Sequence, residues 1–264
     1  MILIKKYSTE VEIRRVKTVE EYKAVENIQR VIWGMIGESP APVTLLTAIN
    51  TNGGLVEIAK EGDKIIGFSL AFPGAEGNYR YLYSHMAGVL KEYRDRNIGY
   101  EIKRHQFEEA RKMGYTEVRW TFDPMKTRNS FFNVHKLGAY AYGYRINYYG
   151  IMESEENQGV ESDRIEAHKF LNREIVRSPH YEVAAKITDY PNPWEKIDFS
   201  GDSIGIEVPS DIGNSDIDLK RKWRNALRSA IISLEEKKYV MNDVVKNQRS
   251  VYLIFTLKEK VGLR

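Results

Sequence analysis

The chain has 264 residues, of which 42% are hydrophobic and 29% are charged, as in an ordinary soluble globular protein with one large domain or one and a half small ones. Forty basic residues against 37 acidic ones give a formal net charge of +3, which is too small to indicate nucleic-acid binding by itself. The absence of cysteine excludes disulfides, thiolate metal sites and a cysteine nucleophile, and no apolar run is long enough to span a membrane, so we expect a cytoplasmic protein.

The first part of the chain alternates between strand and helix patterns. Residues 10–18 alternate as a strand does, and Thr18 with Glu21 forms a capping box that predicts a helix ending near Gly34. The next predicted elements are a short helix ending at Asn52-Gly53-Gly54, a hairpin over 55–72 broken at Pro73-Gly74, a strand over 79–90, a helix over 98–114, a strand over 115–122, a helix over 128–138, a Tyr-rich strand over 139–151 and a strand over 163–171. Hairpins combined with one crossover helix predict an α/β (α+β) sheet with helices on both faces.

The last 90 residues or so differ in pattern from the part before them. Periodicity is lost over residues 172–203, which contain Pro179, Pro191 and Pro193, and this indicates a connecting segment. A strand over 203–209, a long helix over 218–238 and a strand over 251–257 follow. About 60 residues make a marginal core, so we expect this tail to pack on the first domain. The predicted organisation is a first domain over 8–171, a connecting segment over 172–203 and a C-terminal extension over 204–264.

The stretch EYRDRNIGYEI, residues 92–102, connects a predicted strand to a predicted helix. The unpaired N–H groups at such a helix start, together with the helix dipole, favour an anion. Gly99 allows close approach of the backbone, and Asn97 tolerates a positive φ. Arg94 and Arg96 add charged donors. The residues alone leave two interpretations open, a phosphate-binding loop and a basic surface turn.

Residues 89–102, VLKEYRDRNIGYEI, resemble motif A of the GNAT N-acyltransferases, whose pattern is Arg/Gln-x-x-Gly-x-Gly/Ala. Arg94 takes the first position and Gly99 the last, while Asn97 replaces the first glycine. Residues 128–144, RNSFFNVHKLGAYAYGY, resemble motif B of the same family. The resemblance implies the GNAT acyl-CoA N-acyltransferase fold, a mixed and mostly antiparallel sheet flanked by helices. A branch of predicted GNAT acetyltransferases also has a C-terminal extension, which implies a small α/β extension here.

The resemblance also implies a cofactor and the residues that bind it. The expected cofactor is acetyl-CoA or another acyl-CoA, with its pyrophosphate at the motif A loop and its pantetheine arm along the strand before that loop. A backbone N–H near Val89 would polarise the thioester carbonyl, and Asn129 would hydrogen-bond the pantetheine. The cofactor-binding residues implied in this way are Val89, Arg94, Asp95, Arg96, Asn97, Ile98, Gly99, Tyr100 and Asn129.

Three residues are candidates for the proton transfers. His85, in the strand before the loop, is the first choice for the general base, and Asp123 is the second. Each also has a structural interpretation, since a lone strand histidine often only packs and an Asp before Pro often forms a turn. The family often has a proton-donating tyrosine where this chain has Val134. Tyr142, our candidate, or Tyr140 or Tyr148 could take its place, or water could protonate the leaving thiolate.

The acceptor and the acyl group are less specified. Arg164 and Arg224 are predicted to face an anionic group of the acceptor or of the acyl chain; the alternatives are a salt bridge for Arg164 and a solvated helix flank for Arg224. We expect no metal, nucleic-acid or membrane partner, and a small-molecule amine as acceptor; a homodimer is left open. The expected activity is N-acetyl transfer to a small molecule or an amino acid. The alternatives are N-succinyl transfer from succinyl-CoA and a CoA-binding regulatory protein without turnover.

Overall fold

The structure of the protein is a computed structural model. It describes residues 2–4, 10–34, 41–150, 159–185, 200–210, 212, 215–247 and 250–263. Residues 186–199 of the predicted connecting segment lie outside this described part.

The chain forms two compact units. The N-terminal unit comprises Met1–Trp120 and Phe170–Asn172, and the C-terminal unit comprises Thr121–Lys169 and Arg173–Arg264. This division falls earlier than the predicted boundary near residue 171, because residues 121–169 group with the end of the chain. The predicted domain limits therefore stay a prediction, and the two units are described one at a time.

The N-terminal unit is a sheet with helices on both faces. Its described elements are β1 (Ile2–Ile4), β2 (Val11–Arg15), α1 (Val19–Trp33), α2 (Val43–Thr51), β3 (Leu55–Glu61), β4 (Lys64–Glu76), β5 (Tyr79–Val89), α3 (Ile98–Lys112) and β6 (Glu117–Phe122), of which the last two residues belong to the other unit. The strands lie in the order β1-β2-β3-β4-β5-β6. All neighbours are antiparallel except β5 and β6, which run parallel. The predicted mixed, mostly antiparallel sheet is confirmed.

The two-residue period of β3 separates the two faces of this sheet. Val56 and Ile58 pack in one cluster with Val25 of α1 and Leu46 of α2. Ala59 points to the opposite face, into a second cluster that contains the first residues of α3. Helices α1 and α2 therefore cover one face and α3 covers the other. Strand β5 ends at Val89, and α3 begins at Ile98, after a short 3-10 helix over Lys91–Tyr93.

The predicted capping box at the start of α1 is confirmed. The Thr18 hydroxyl accepts a hydrogen bond from Glu21 N at 3.2 Å, and the Glu21 carboxylate accepts one from Lys17 N at 2.8 Å. Arg14 of β2 donates twice to the same carboxylate. The helix ends at Gly34, whose φ of 58° is the left-handed conformation predicted for a terminal glycine.

Replacing Glu21 with Gln should flatten the acid limb of the stability curve. The hydrogen bond from Arg14 lowers the pKa of Glu21 from 4.5 to about 2. Because the folded-state pKa is depressed, this carboxylate stabilises the fold fully above pH 4.5 and loses its contribution as the pH falls through about 2. Urea unfolding between pH 2 and 6 measures the effect. The exposed neighbour Glu20, changed to Gln, is the control and should leave the curve unchanged.

The predicted break of β4 at Pro73-Gly74 is wrong. Strand β4 continues to Glu76, and Pro73 pairs with Leu82 of β5. The pairing of β4 with β3 ends at Ala71, so Pro73 lies where β4 has one partner strand and its missing N–H breaks no ladder. A Cβ on Gly74 would lie 2.3 Å from the Tyr81 ring, which explains the glycine beside it.

The C-terminal unit contains a second set of paired strands. Its described elements are α4 (Thr127–Ser130), a π-helical segment (Phe131–Lys136), β7 (Tyr140–Arg145), β8 (Arg164–Phe170), β9 (Glu182–Ala185), β10 (Ser203–Val208), α5 (Ile217–Glu236), β11 (Tyr239–Lys246) and β12 (Val251–Leu257). The strands lie in the order β8-β7-β11-β12-β10-β9, and only β9 and β10 run parallel. Strand β11 pairs with β7 at Met241 and Ala141, so the predicted extension continues the β7–β8 hairpin. None of the described helices is long and apolar enough to cross a membrane.

Candidate functional site

The N-terminus of α3 is open to an anion. Asn97 occupies the N-cap position, but its side chain makes no capping bond to the helix. Its amide instead donates to Glu101 at 3.5 Å, the long limit of a hydrogen bond. The first intrahelical bond runs from Glu101 N to Asn97 O, so the N–H groups of Ile98, Gly99 and Tyr100 have no intrahelical acceptor. Aligned N–H groups at a positive helix end favour a phosphate.

The turn before α3 has the backbone shape that its sequence predicts. Asp95 and Asn97 have φ values of 65° and 62°, and Asn97 thus adopts the left-handed conformation expected of a residue in a glycine position. Gly99 has no unusual φ. A Cβ built on Gly99 would have Val89 Cγ2 at 3.9 Å as its nearest neighbour. Gly99 is therefore not required by the backbone, and it leaves space above the first helical turn.

The two arginines of the turn differ in their surroundings. Arg94 is exposed, its Nε donates to Val89 O at 3.3 Å, and it makes no ion pair within the described part of the chain. Arg96 pairs with Glu61 of β3 at 2.5 Å and lies 5.3 Å from the centroid of the Tyr93 ring. Arg94 can thus approach a bound anion with its guanidinium, whereas Arg96 connects the turn to the sheet.

His85 lies at an irregularity of β5. Ser84 pairs with Ala71 and Met86 with Leu70, so His85 is the extra residue of a bulge. His85 is partly accessible to solvent, and the Phe72 ring lies 5.8 Å away. Partial burial lowers the pKa of His85 below its ordinary value. At neutral pH the imidazole is therefore neutral, which is the form that accepts a proton.

In the C-terminal unit, Asp123 and Arg224 bind each other. Nη1 and Nη2 of Arg224 donate to the two carboxylate oxygens at 2.6 and 2.7 Å, and Met125 N donates to Oδ1 at 2.9 Å. Asp123 is 4% exposed and Arg224 is 2% exposed. Both carboxylate oxygens of Asp123 are occupied by these bonds, and a buried guanidinium does not reach an acceptor. The geometry favours a structural role for both, in place of the predicted base and substrate-binding residue.

A second ion pair also connects α5 to the strands of this unit. Arg228 donates to both oxygens of the buried Asp163 at 2.8 and 3.0 Å. Tyr144 OH donates to the same carboxylate at 2.7 Å, and burial raises the pKa of Tyr144. Glu235, near the end of α5, accepts from Tyr144 N. Helix α5 is thus held at several points along its length.

The other predicted site residues of the C-terminal unit have separate surroundings. Tyr142 is half-buried and stacks on His168 with ring centroids 3.7 Å apart, while Lys258 Nζ lies 4.8 Å from its ring. Arg164 donates to Asp163 O and lies over the ring of Tyr149 at 5.3 Å. Asn129 is exposed on α4, and its side-chain amide has no partner within the described residues. Stacking of Tyr142 between sheet neighbours favours a packing role.

A comparison of the sequence with family models gives a match that includes β5, the turn and α3. Residues 22–138 match the model of the acetyltransferase (GNAT) family. This segment is therefore similar to a GNAT acetyltransferase domain.

Solved structures resemble this chain over about two thirds of its length, at low sequence identity. The yncA protein of Salmonella typhimurium, solved with its cofactor acetyl-CoA, has a TM-score of 0.51 and 14% identity and covers 64% of this chain and 99% of its own. The ribosomal-protein-S18-alanine N-acetyltransferase of Escherichia coli has a TM-score of 0.49 and 14% identity and covers 65% of this chain and 99% of its own. No match was found among curated proteins. At 14% identity, the likeness to yncA shows the fold alone.

The structure brings some predicted residues together and separates others. His85, Val89 and the turn from Arg94 to Tyr100 lie on one continuous strand–turn–helix segment. Asp123 and Arg224, which were predicted for different roles, are partners. The sequence analysis did not single out Lys103, which is buried on α3. Its place directly after the apolar Ile102 could have indicated that it faces inward.

Proposed function

We propose that the protein is an acetyl-CoA-dependent N-acetyltransferase that acts on the amine of a small molecule or an amino acid. The observation that carries this proposal is the open N-terminus of α3, which follows β5 after residues 90–97, together with the bulge of β5 at His85. The match of residues 22–138 to the model of the GNAT family supports it. The acetyl-CoA in the yncA structure supports the choice of cofactor.

The residues of the turn fit the phosphates of the cofactor. The N–H groups of Ile98, Gly99 and Tyr100 would hold the pyrophosphate, and Arg94 would add a charged donor. Asp95 and Asn97 would shape the turn through their positive φ values. Arg96 would hold the turn in place through its pairing with Glu61, and Val89 would lie beside the thioester. A contact of Asn129 with the pantetheine stays a prediction.

The chemistry needs a neutral amine and an activated acyl group. Acetyl-CoA supplies the activated thioester. We assign the general base to His85, whose lowered pKa keeps the imidazole neutral and able to take a proton from the acceptor ammonium. Asp123 is engaged by Arg224, so the geometry favours His85 over it. Arg164 stays a predicted acceptor-binding residue, whereas Arg224 is engaged by Asp123.

Thermal unfolding with ligands tests the cofactor assignment. CoA and acetyl-CoA should raise the unfolding temperature, with a stabilisation of about 2.7 kcal/mol at a concentration 100 times the Kd. Pantetheine is the control, because it lacks the pyrophosphate and should give a much smaller shift. The absence of a shift at millimolar CoA would overturn the cofactor assignment.

Thiol release tests the transfer. With acetyl-CoA and a panel of amino acids, polyamines and peptides, we expect release to depend on one class of amine acceptor. Faster release from succinyl-CoA than from acetyl-CoA would favour N-succinyl transfer. Binding of CoA without release on any acceptor would favour a CoA-binding regulatory protein.

A further inference from the structure

Polar side chains form a buried network between α3 and the sheet of the N-terminal unit. Its members are Glu57 of β3, Ser69 of β4, Ser84 of β5, and Lys103 and Gln106 of α3, all at most 5% exposed. Ser69 donates to Glu57 at 2.6 Å and accepts from Gln106 at 3.2 Å. Lys103 Nζ donates to Gln106 Oε1 and to Ser84 Oγ, both at 2.8 Å. The network therefore joins three strands through one helix.

Lys103 is the residue whose burial most needs an explanation. It is 4% exposed, and burial lowers the pKa of Lys103 to about 7. Its two hydrogen bonds need two N–H groups, which the neutral amine also has. The charged ammonium is also stabilised by a cation–π interaction with Trp120, whose ring centroid lies 4.1 Å from Nζ. Both protonation states thus keep the bonds to Ser84 and Gln106.

The other charged groups near Lys103 are already paired. Glu57 interacts electrostatically with Lys103 and accepts hydrogen bonds from Ser69, and it also pairs with His105 of α3. The hydrogen bonds run from Glu57 through Ser69, Gln106 and Lys103 to Ser84 without a gap. The network therefore has a defined geometry. A methionine would fill the same volume at position 103 without the cost of burying an amine. The amine therefore points to a need for a fixed contact with Ser84.

Ser84 is the last regular residue of β5 before its bulge. The next residue is His85, and the ladder with β4 resumes at Met86. A bulge locally disrupts the backbone pairing, so a side-chain bond next to it limits how the strand can shift. We propose that Lys103 is a positioning residue, which through Ser84 fixes the bulge of β5 and so the orientation of His85. This inference rests on the proposed function, in which His85 takes the proton.

The experiment compares Lys103→Met and Ser84→Ala with Lys112→Met, a control on an exposed lysine of the same helix. Hydrogen exchange of the amides of residues 84–89 reports the local order, and CoA affinity and kcat for thiol release report the function. In Lys103→Met and Ser84→Ala we expect exchange of residues 84–89 to quicken, while the α1–α2 face stays unchanged. CoA affinity should stay within about twofold, and kcat should fall by about 10- to 100-fold, as for a misplaced reacting group.

The double variant of Lys103→Met with Ser84→Ala should lose no more kcat than either single variant, since both remove one contact. Unchanged exchange at residues 84–89, a uniform rise over the whole unit, or a loss in CoA affinity without a loss in kcat would each overturn the inference. Ser84→Ala removes a single oxygen and keeps the test available if Lys103→Met does not fold. If the wild type releases no thiol, the proposed function fails, while exchange still decides whether Lys103 fixes the bulge.

Discussion

Replacing Arg224 with Met should lower the free energy of unfolding by about 3–5 kcal/mol, the cost of breaking a buried ion pair from one side. Asp123 is 4% exposed and receives two hydrogen bonds from Arg224. Without the guanidinium its carboxylate would keep only the side-chain bond from Met125 N and would be buried without its paired cation. Urea unfolding at pH 7 measures the change.

Two further variants separate the charge from the volume of the side chain. Arg221→Met, on the exposed flank of α5, should change the free energy of unfolding by less than about 0.5 kcal/mol. The double variant of Asp123→Asn with Arg224→Met removes the unpaired charge and keeps an acceptor for Met125 N. It should regain most of the loss. An equal loss in Arg221→Met and Arg224→Met would contradict the ion-pair explanation.

This ion pair also shows why the site was only partly predictable. Asp123 and Arg224 are 101 residues apart, and neither lies in a pattern that refers to the other. Each was predicted from its local context, Asp123 from the end of a strand and Arg224 from a basic helix flank. Only the packing of α5 shows that they neutralise each other. Local sequence patterns do not show which residues pair when they are far apart in the chain.

The fold was predictable where local signals were strong. The capping box at Thr18 and the terminal Gly34 set both ends of α1, as expected. Strand β11 was missed because Asn242 and Asp243 interrupt its apolar run. The pairing with β12 shifts register between Met241 and Asp243, so a bulge accommodates Asn242. Partner strands on both sides form β11 despite its weak local pattern.

Gly99→Glu should weaken CoA binding by about 100-fold or more while leaving the fold intact or more stable. Gly99 is the second residue of α3, where a carboxylate interacts well with the helix dipole, and a non-glycine residue favours the helix by up to about 1 kcal/mol. The nearest atom to its Cβ would be Val89 Cγ2 at 3.9 Å, so a Cβ at this position meets no clash. The same carboxylate would lie where we propose the pyrophosphate, and two like charges about 4 Å apart near a protein surface repel by about 4 kcal/mol.

Gly99→Ala is the matched control, since it adds a Cβ in the same place without a charge. We expect its CoA affinity to fall by less than about tenfold, because the N–H groups of α3 stay accessible. Titration calorimetry with CoA, together with thermal unfolding of both variants, measures binding and stability separately. If Gly99→Glu bound CoA as tightly as the wild type, the phosphates would have to lie away from α3. A parallel loss of affinity in both variants would instead show that the space above Gly99 matters more than the charge at the helix end.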